Sequence, residues 1–538
     1  MHPVSSATHV TSANLINLAV VVGYLLMIVG VGTYFALRRK SASQFMLADQ
    51  SMPGWAVGLS MFGSYISSIS FLGNPATTFK GNWMFAGFTL MTPIGLLVGT
   101  RVFMKFYRRG GAVSAYSHLE KRFGPWARTY AVFTFLILQM ARMGTILFLL
   151  SQAVLPLLGG TPNDVGRARL IIVAVGALIT LYTLFGGIEA VVWTGVIQAF
   201  VLILGPILCV ATLLWKMPGG LGRVIEIGAS ADKFSLGWNV FDVTIASFWL
   251  VVVNGLIEHL RNWGVDQSYI QRYLSATTER EASRSIWIAG LLYMPVAFFF
   301  FFMGTALFAF YQVAPDRLPA GIAPDAVFPH FITRELAVGL SGLVIAAIFA
   351  ASMDSNLNSM ATLTLVDGYK RYARPTAGDR ESLYVLWTST VLWGCASIGY
   401  ALFMTLKGTT TTLQFAADVS GLLAGGLLGL FLLGLMSKRV TSGIAGFSVT
   451  VGVLLITWLT LSRLQLNGQP IWPAAWSRFR SPLHQMAAGA IGTVTIVMLG
   501  LLLAALRGGD PKPNSENREG ASDGSTATAE PAPLAPSR

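Results

Sequence analysis

The amino-acid sequence predicts an all-α membrane protein of about thirteen transmembrane helices, and three observations carry that prediction. First, 54% of the 538 residues are hydrophobic and only 11% are charged, with a mean hydropathy of +0.62. That charged share is under half of the roughly 25% usual for soluble domains, so lipid must cover most of the surface. Second, apolar runs near the roughly 20 residues needed to cross a bilayer recur along almost the whole chain. Third, the 37 Lys and Arg residues gather in alternate loops, an imbalance that orients membrane proteins with the basic loops in the cytoplasm. The formal net charge of +13 is therefore an orientation signal rather than a nucleic-acid footprint. A soluble enzyme, a disordered chain and a secreted disulfide scaffold are excluded. Cys209 and Cys395 both sit inside apolar runs and offer neither a disulfide framework nor a metal-ligand spacing.

In chain order the spans are 14–37, 51–79, 83–107, 126–155, 168–186, 190–215, 241–271, 284–311, 335–368, 383–406, 413–436, 443–462 and 485–506. No Lys or Arg precedes the first span, so it lacks the basic start of a signal peptide and reads as a retained helix. The second, seventh and ninth are longer than a bilayer requires and must bend or run past it. With the N-terminus outside, loops 38–50, 102–128, 272–284, 370–380 and 437–442 fall in the cytoplasm. Together with Arg507 they hold 19 basic residues, against 12 on the outer side when Arg169, at the outer start of its span, is included. The expected orientation in the plasma (inner) membrane is thus N-terminus out and C-terminus in. Residues 508–538 are rich in Pro, Ser, Ala, Gly and Glu, and read as a disordered cytoplasmic tail.

Two spans are poor lipid-facing helices. The second contains Gly63-Ser64-Tyr65-Ile66-Ser67-Ser68-Ile69-Ser70, followed by Gly73-Asn74-Pro75. Five spans later the seventh contains Asn254-Gly255 and then Glu258-His259-Leu260-Arg261-Asn262-Trp263-Gly264-Val265-Asp266-Gln267. Small residues alone also serve close helix packing. Interrupted segments at matching places in two halves, however, point to an inverted-repeat transporter with its binding site between them. Spans two to six and seven to eleven form the two five-helix sets. The expected division is 1–50 (extra helix and loop), 51–215 (first repeat), 216–240 (outer loop), 241–463 (second repeat), 464–507 (outer loop and last helix) and the 508–538 tail.

The run Ser67-Ser68-Ile69-Ser70-Phe71-Leu72-Gly73-Asn74-Pro75-Ala76 resembles the first core helix of the sodium:solute symporter family. So do Gly186-Gly187-Ile188-Glu189-Ala190-Val191-Val192-Trp193-Thr194, Asp266-Gln267-Ser268-Tyr269-Ile270-Gln271-Arg272 and Asn356-Leu357-Asn358-Ser359. The resemblance covers about residues 10–507 and implies a LeuT-type 5+5 inverted repeat with flanking helices, working by alternating access. It further implies co-transported Na+ held by the carbonyls of Gly63, Ile66 and Ile348 and the hydroxyl of Ser352. Two departures stand out. Where the family often pairs two hydroxyls, the first position is Ala351. Where its pattern continues after Trp-Thr with Asp, this chain has Gly195. Asp354 with Ser355 is then a candidate second sodium site, the alternative being that Asp354 neutralises a buried base.

Arg142 lies in the middle of the fourth span, where a guanidinium needs an anion. Two readings stand. Arg142 pairs with Asp354, Glu258 or Asp418, or it holds the carboxylate of a solute together with Ser67 and Ser70. The second arrangement resembles the sialic-acid branch of the family, and the Leu-Gly-x-Pro-Ala run resembles the monocarboxylate and vitamin branch. A neutral sugar is the alternative solute, with His259, Asn262, Glu258 and Gln414 as hydroxyl partners. The expected partners are a small solute, sodium and the lipid bilayer, with no nucleic acid, in a monomer or weak oligomer. No zinc-type histidine spacing, phosphate-binding loop or nucleophile–base motif is present, so the chain does not read as an enzyme. A transporter-like sensor is a further alternative, although such proteins carry long signalling extensions.

Overall fold

The structure, a computed structural model, describes residues 12–38, 41–66, 68–111, 113–158, 164–350, 354–406, 426–462, 465–466, 469–470 and 472–507. Apart from one hairpin of two-residue strands, every regular element among them is helical. Among the described residues nine helices are long and apolar enough to cross a membrane by themselves, and a helix pair bent by 50° makes a tenth if taken as one span. In order they are α1 (Ser12–Arg38), the bent pair α2 (Gly54–Tyr65) and α3 (Ser68–Lys80), α4 (Trp83–Gly110), α5 (Pro125–Val154), α6 (Val165–Leu184) and α7 (Gly186–Lys216). The second repeat holds α8 (Phe248–Gly264), α9 (Gln267–Leu274), α10 (Glu279–Val313), α11 (Leu340–Ala350), α12 (Asp354–Leu363), α13 (Asp379–Met404) and α14 (Gly426–Met436). Two further spans, α15 (Ser442–Leu461) and α16 (Met486–Leu506), close the chain. Where the seventh, ninth and eleventh spans are expected, the described residues hold shorter helices, α8 with α9, α11 with α12, and α14, so ten of the thirteen expected spans meet the length and composition of a crossing helix.

Small residues let these helices approach closely, as they do inside bilayers. Both halves of the bent pair lie along α10. The first half meets it at Gly54 and Gly58, where a β-carbon would fall 2.4 Å from the Glu281 carbonyl oxygen and 2.8 Å from Ile288. The second half meets it at Gly304, where a β-carbon would fall 2.3 Å from the Pro75 carbonyl oxygen. Between α6 and α7 the chain turns at Gly187, with φ 61° and ψ −163°. Only glycine enters that region without strain.

The five loops with basic excess meet on one face. Asp379 accepts from the Ala42 amide, Arg108 donates to the Ala276 carbonyl, and Arg122 donates to the carbonyls of Ser437 and Val440. Arg128 bridges Glu120 and Asp367, and Arg371 pairs with Glu120 at 2.6 Å. The intervening loops are tied together at the other face. There Lys233 donates to the carbonyls of Phe79 and Gly81, and Lys216 and Arg317 share Glu335. The alternation read from charge alone thus corresponds to two physical faces.

Replacing Gly187 with Ala should lower stability by about 1–3 kcal/mol through backbone strain. The new methyl would also press within 3.0 Å of the Phe45 backbone. A thermal-unfolding comparison in detergent measures this, and an unchanged midpoint would contradict the turn geometry.

Candidate functional site

The two broken helices face one another at their breaks. α2 ends at Tyr65, and Ile66 turns extended, with φ −90° and ψ 94°. A helix end leaves its last carbonyls without intrahelical donors, and in a membrane other parts of the protein must satisfy them. α9 does so in part. The Tyr269 hydroxyl donates to the Ser64 carbonyl at 3.2 Å, while Arg272 donates to the Ser60 carbonyl at 2.9 Å and to Ser64 Oγ at 2.7 Å. All eight residues of α9 are buried, although four of them are Gln267, Ser268, Gln271 and Arg272. The sequence places the second break within Asn254–Gln267. In the structure α8 runs unbroken to Gly264, and the chain departs from helix only at Val265 and Asp266. The polar residues of α8 are helical because they face protein. The break falls where Asp266 accepts from the Ser268 amide and caps the start of α9.

Gly63, Ile66, Ile348 and Ser355 are all buried. Ser355 on α12 lies 3.4 Å from Ser64 Oγ on α2, so the second and ninth segments meet as the resemblance implies. Ser352 lies outside the described residues, as does the side chain of Asp354, whose backbone begins α12. The structure also gives a reason for Gly195. A β-carbon there would lie 2.4 Å from Ser60 Oγ and 2.8 Å from the Ser60 Cα, so α2 and α7 are too close for the family's aspartate.

Arg142 projects from α5 toward α8 and α9, within electrostatic reach of Glu258 and hydrogen-bonding reach of the Tyr269 side chain. Glu258 nevertheless pairs with Arg261, at 2.6 Å. Arg261 also lies 3.8 Å from Asp266, which accepts from Gln139 at 2.9 Å. Among the described residues no carboxylate lies within ion-pairing distance of Arg142, and of its expected partners the side chains of Asp354 and Asp418 lie outside those residues. Asn262 is buried and contacts Tyr65, yet its Oδ1 has no partner among the described residues. Ser70 is half-buried on α3, which packs against α5; Ser67 and Gln414 lie outside the described residues.

His259 is placed differently. Its Nδ1 meets the Tyr65 hydroxyl, and its Nε2 meets Thr92 Oγ1 at 3.2 Å and the Phe88 carbonyl at 3.0 Å. Both ring nitrogens are therefore engaged within the protein. Trp263 is fully buried and stacks on Tyr65 with ring centroids 5.5 Å apart. Tyr65 also touches Tyr269 and Tyr293, so the end of α2 sits in an aromatic cage. Sequence reading did not single out Tyr65, Tyr269, Tyr293 or Gln139. The one available signal was the position of Tyr65 and Tyr269 inside the two motifs.

Two interrupted helices thus meet across a buried polar centre, the arrangement expected of a LeuT-type transporter. A profile of the sodium:solute symporter family matches residues 45–452, and the chain belongs to that family. It is a multi-pass, sodium-coupled solute symporter. It is 31% identical over 498 residues to the sodium/sialic acid symporter of Proteus mirabilis, covering 91% of this chain and 95% of that protein. It is 28% identical to sodium-coupled monocarboxylate transporter 1 of Xenopus laevis, covering 81% of this chain and 70% of that one. The solved substrate-bound, outward-open structure of a Na+-coupled sialic acid symporter superposes with a TM-score of 0.81 at 30% identity, covering 91% of this chain and 98% of that chain.

Restoring the family's acid by Gly195→Asp should not add a sodium site. It should cost about 1–3 kcal/mol or more, because Ser60 and its backbone must move. Thermal unfolding with and without sodium tests this, and a stable variant with steeper sodium dependence would contradict the close packing.

Proposed function

We propose that the chain imports a carboxylate-bearing solute of the sialic-acid type, driven by sodium, with Arg142 holding the carboxylate. The observation that carries this reading is the contrast between neighbouring arginines. Arg261 takes Glu258 and Asp266, whereas Arg142 has no acid of its own among the described residues. Leaving a guanidinium without a counter-charge in a membrane is costly, and a solute carboxylate removes that cost through paired hydrogen bonds. Ser67 and Ser70 would add hydroxyl donors from the broken helix. Asn262 Oδ1 offers an acceptor to a hydroxyl or N–H elsewhere on the solute. The relatives that transport sialic acid and monocarboxylates support the same class.

Sodium is assigned to the carbonyls of Gly63, Ile66 and Ile348 with the Ser352 hydroxyl, an all-oxygen set suited to a hard cation. Asp354 and Ser355 are assigned to a second sodium, a reading supported by the contact of Ser355 with Ser64, the chain neighbour of Gly63. The face that gathers the basic loops is assigned to the cytoplasm, giving N-terminus out and C-terminus in.

In proteoliposomes with an inward sodium gradient, the protein should accumulate sialic acid or a related acid. Arg142→Ala should reduce that uptake by about 100-fold, in line with the 2–5 kcal/mol cost of truncating a buried charge pair. Arg142→Lys should recover only part of it, since an ammonium cannot bind a carboxylate in two-pronged fashion. Accumulation of a neutral hexose but no acid, with Arg142→Ala at wild-type rate, would overturn the reading. Separately, Asp354→Asn should change the sodium dependence of uptake from sigmoidal to hyperbolic. A dependence already hyperbolic in the wild type and unaltered in the variant would remove the second sodium.

A further inference from the structure

Gln271, on the buried helix α9, makes an unusual set of contacts. Its amide nitrogen lies 2.7 Å from the Met46 carbonyl oxygen, 2.8 Å from Asn358 Oδ1 and 2.9 Å from Thr362 Oγ1. An amide nitrogen carries two protons, so three oxygens converge on one more hydrogen bond than it can give. Its own carbonyl oxygen is buried and has no partner among the described residues. Gln271, Asn358 and Thr362 are all completely buried. Asn358 is held with Oδ1 toward Gln271 because its Nδ2 donates to the Phe45 carbonyl at 3.4 Å. Three neutral oxygens gathered around one point are what a hard cation seeks, and here a protein nitrogen occupies that point.

The position along the chain gives this cluster a purpose. Ser355, Asn358 and Thr362 follow one another on one face of α12, at intervals of three and four residues. Seven residues of helix advance about 10 Å, so Thr362 lies that far beyond Ser355. The helix continues toward Asp367 and Arg371 on the face that gathers the basic loops. α9 belongs to the second broken helix, and Gln271 is its tie to α12.

We propose that Met46, Asn358 and Thr362 form a transient sodium-release subsite on the cytoplasmic side of the binding centre, and that Gln271 plugs it while the inner path is closed. Withdrawal of α9 removes the amide nitrogen and leaves three oxygens facing one another. A partly hydrated sodium leaving the Gly63–Ile66–Ile348–Ser352 site then takes the vacated point on its way out. The closed state is in turn held by hydrogen bonds that only the departure of α9 breaks. This inference rests on the sodium assignment proposed above.

The test measures release of radioactive sodium from purified, reconstituted protein, beside sodium affinity from thermal-shift titration in detergent. Thr362→Val should slow sodium release by about fivefold, the loss of roughly one hydrogen-bond equivalent, while sodium affinity stays within about twofold of wild type. Thr362→Ser should restore the rate. Gln271→Ala, which removes the plug and keeps the three oxygens, should speed release instead. Opposite signs in the two variants distinguish a subsite from general damage to folding. Wild-type release in Thr362→Val, or slowing in both variants, would overturn the release subsite. Ser352→Ala separates the two readings. If it abolishes sodium affinity while Thr362→Val releases at wild-type rate, only the subsite fails. If it leaves affinity unchanged, the primary sodium assignment fails and the release subsite falls with it.

Discussion

The structure depends on one constraint: the backbone of a helix broken inside a membrane has no water to satisfy it. Ending α2 at Tyr65 leaves carbonyls that must find donors or a cation. The protein divides the task. Tyr269 reaches across to the freed carbonyl of Ser64, and Arg272 braces the turn before it at the Ser60 carbonyl. The carbonyls of Gly63 and Ile66 belong to the proposed sodium site. The break therefore also ties α2 to α9, and motion of α9 alters the surroundings of α2 directly.

Charge is handled in two regimes. At the two faces, residues such as Arg128, Arg371, Lys216 and Arg317 pair with acids from distant loops and hold neighbouring spans in place. Near the centre, charged groups are few and closely apportioned. Glu258 and Asp266 neutralise Arg261, Arg272 lies on backbone and hydroxyl oxygens with its guanidinium 5.0 Å from the Tyr269 ring centre, and Arg142 has no carboxylate within ion-pairing distance among the described residues. The selectivity proposed for the protein follows from that apportionment rather than from the number of basic residues.

Much of this was legible in the chain. The bend of the second span follows from Gly63, Ser64 and Ser67–Ser70, which are weak helix formers and good cavity lining. The break in the seventh span was legible in kind but displaced in position. Residues 254–264 look too polar for a membrane helix, yet a helix tolerates polar side chains on a face that meets protein. The sharper signal was Asp266 followed two residues later by Ser268, a helix cap. The loss of the family's aspartate at Gly195 was visible, whereas its steric cause in Ser60 was not. The role of His259 also escaped sequence reading. A histidine in a polar run looks available to a solute until Tyr65, Thr92 and Phe88 are seen around it.

The sequence by itself determined that the protein lies in a membrane, which loops share a face, where the spans weaken and to which family they belong. These are properties of composition and of neighbours a few residues apart, and physical chemistry reads them locally. Only the tertiary structure decided which polar groups meet. Tyr65 and His259 are 194 residues apart in the chain, and Ser64 and Ser355 are 291 apart. No local pattern encodes such a pairing. It arises because buried donors, acceptors and charges in a medium without water must find partners within the protein, whatever their distance along the chain.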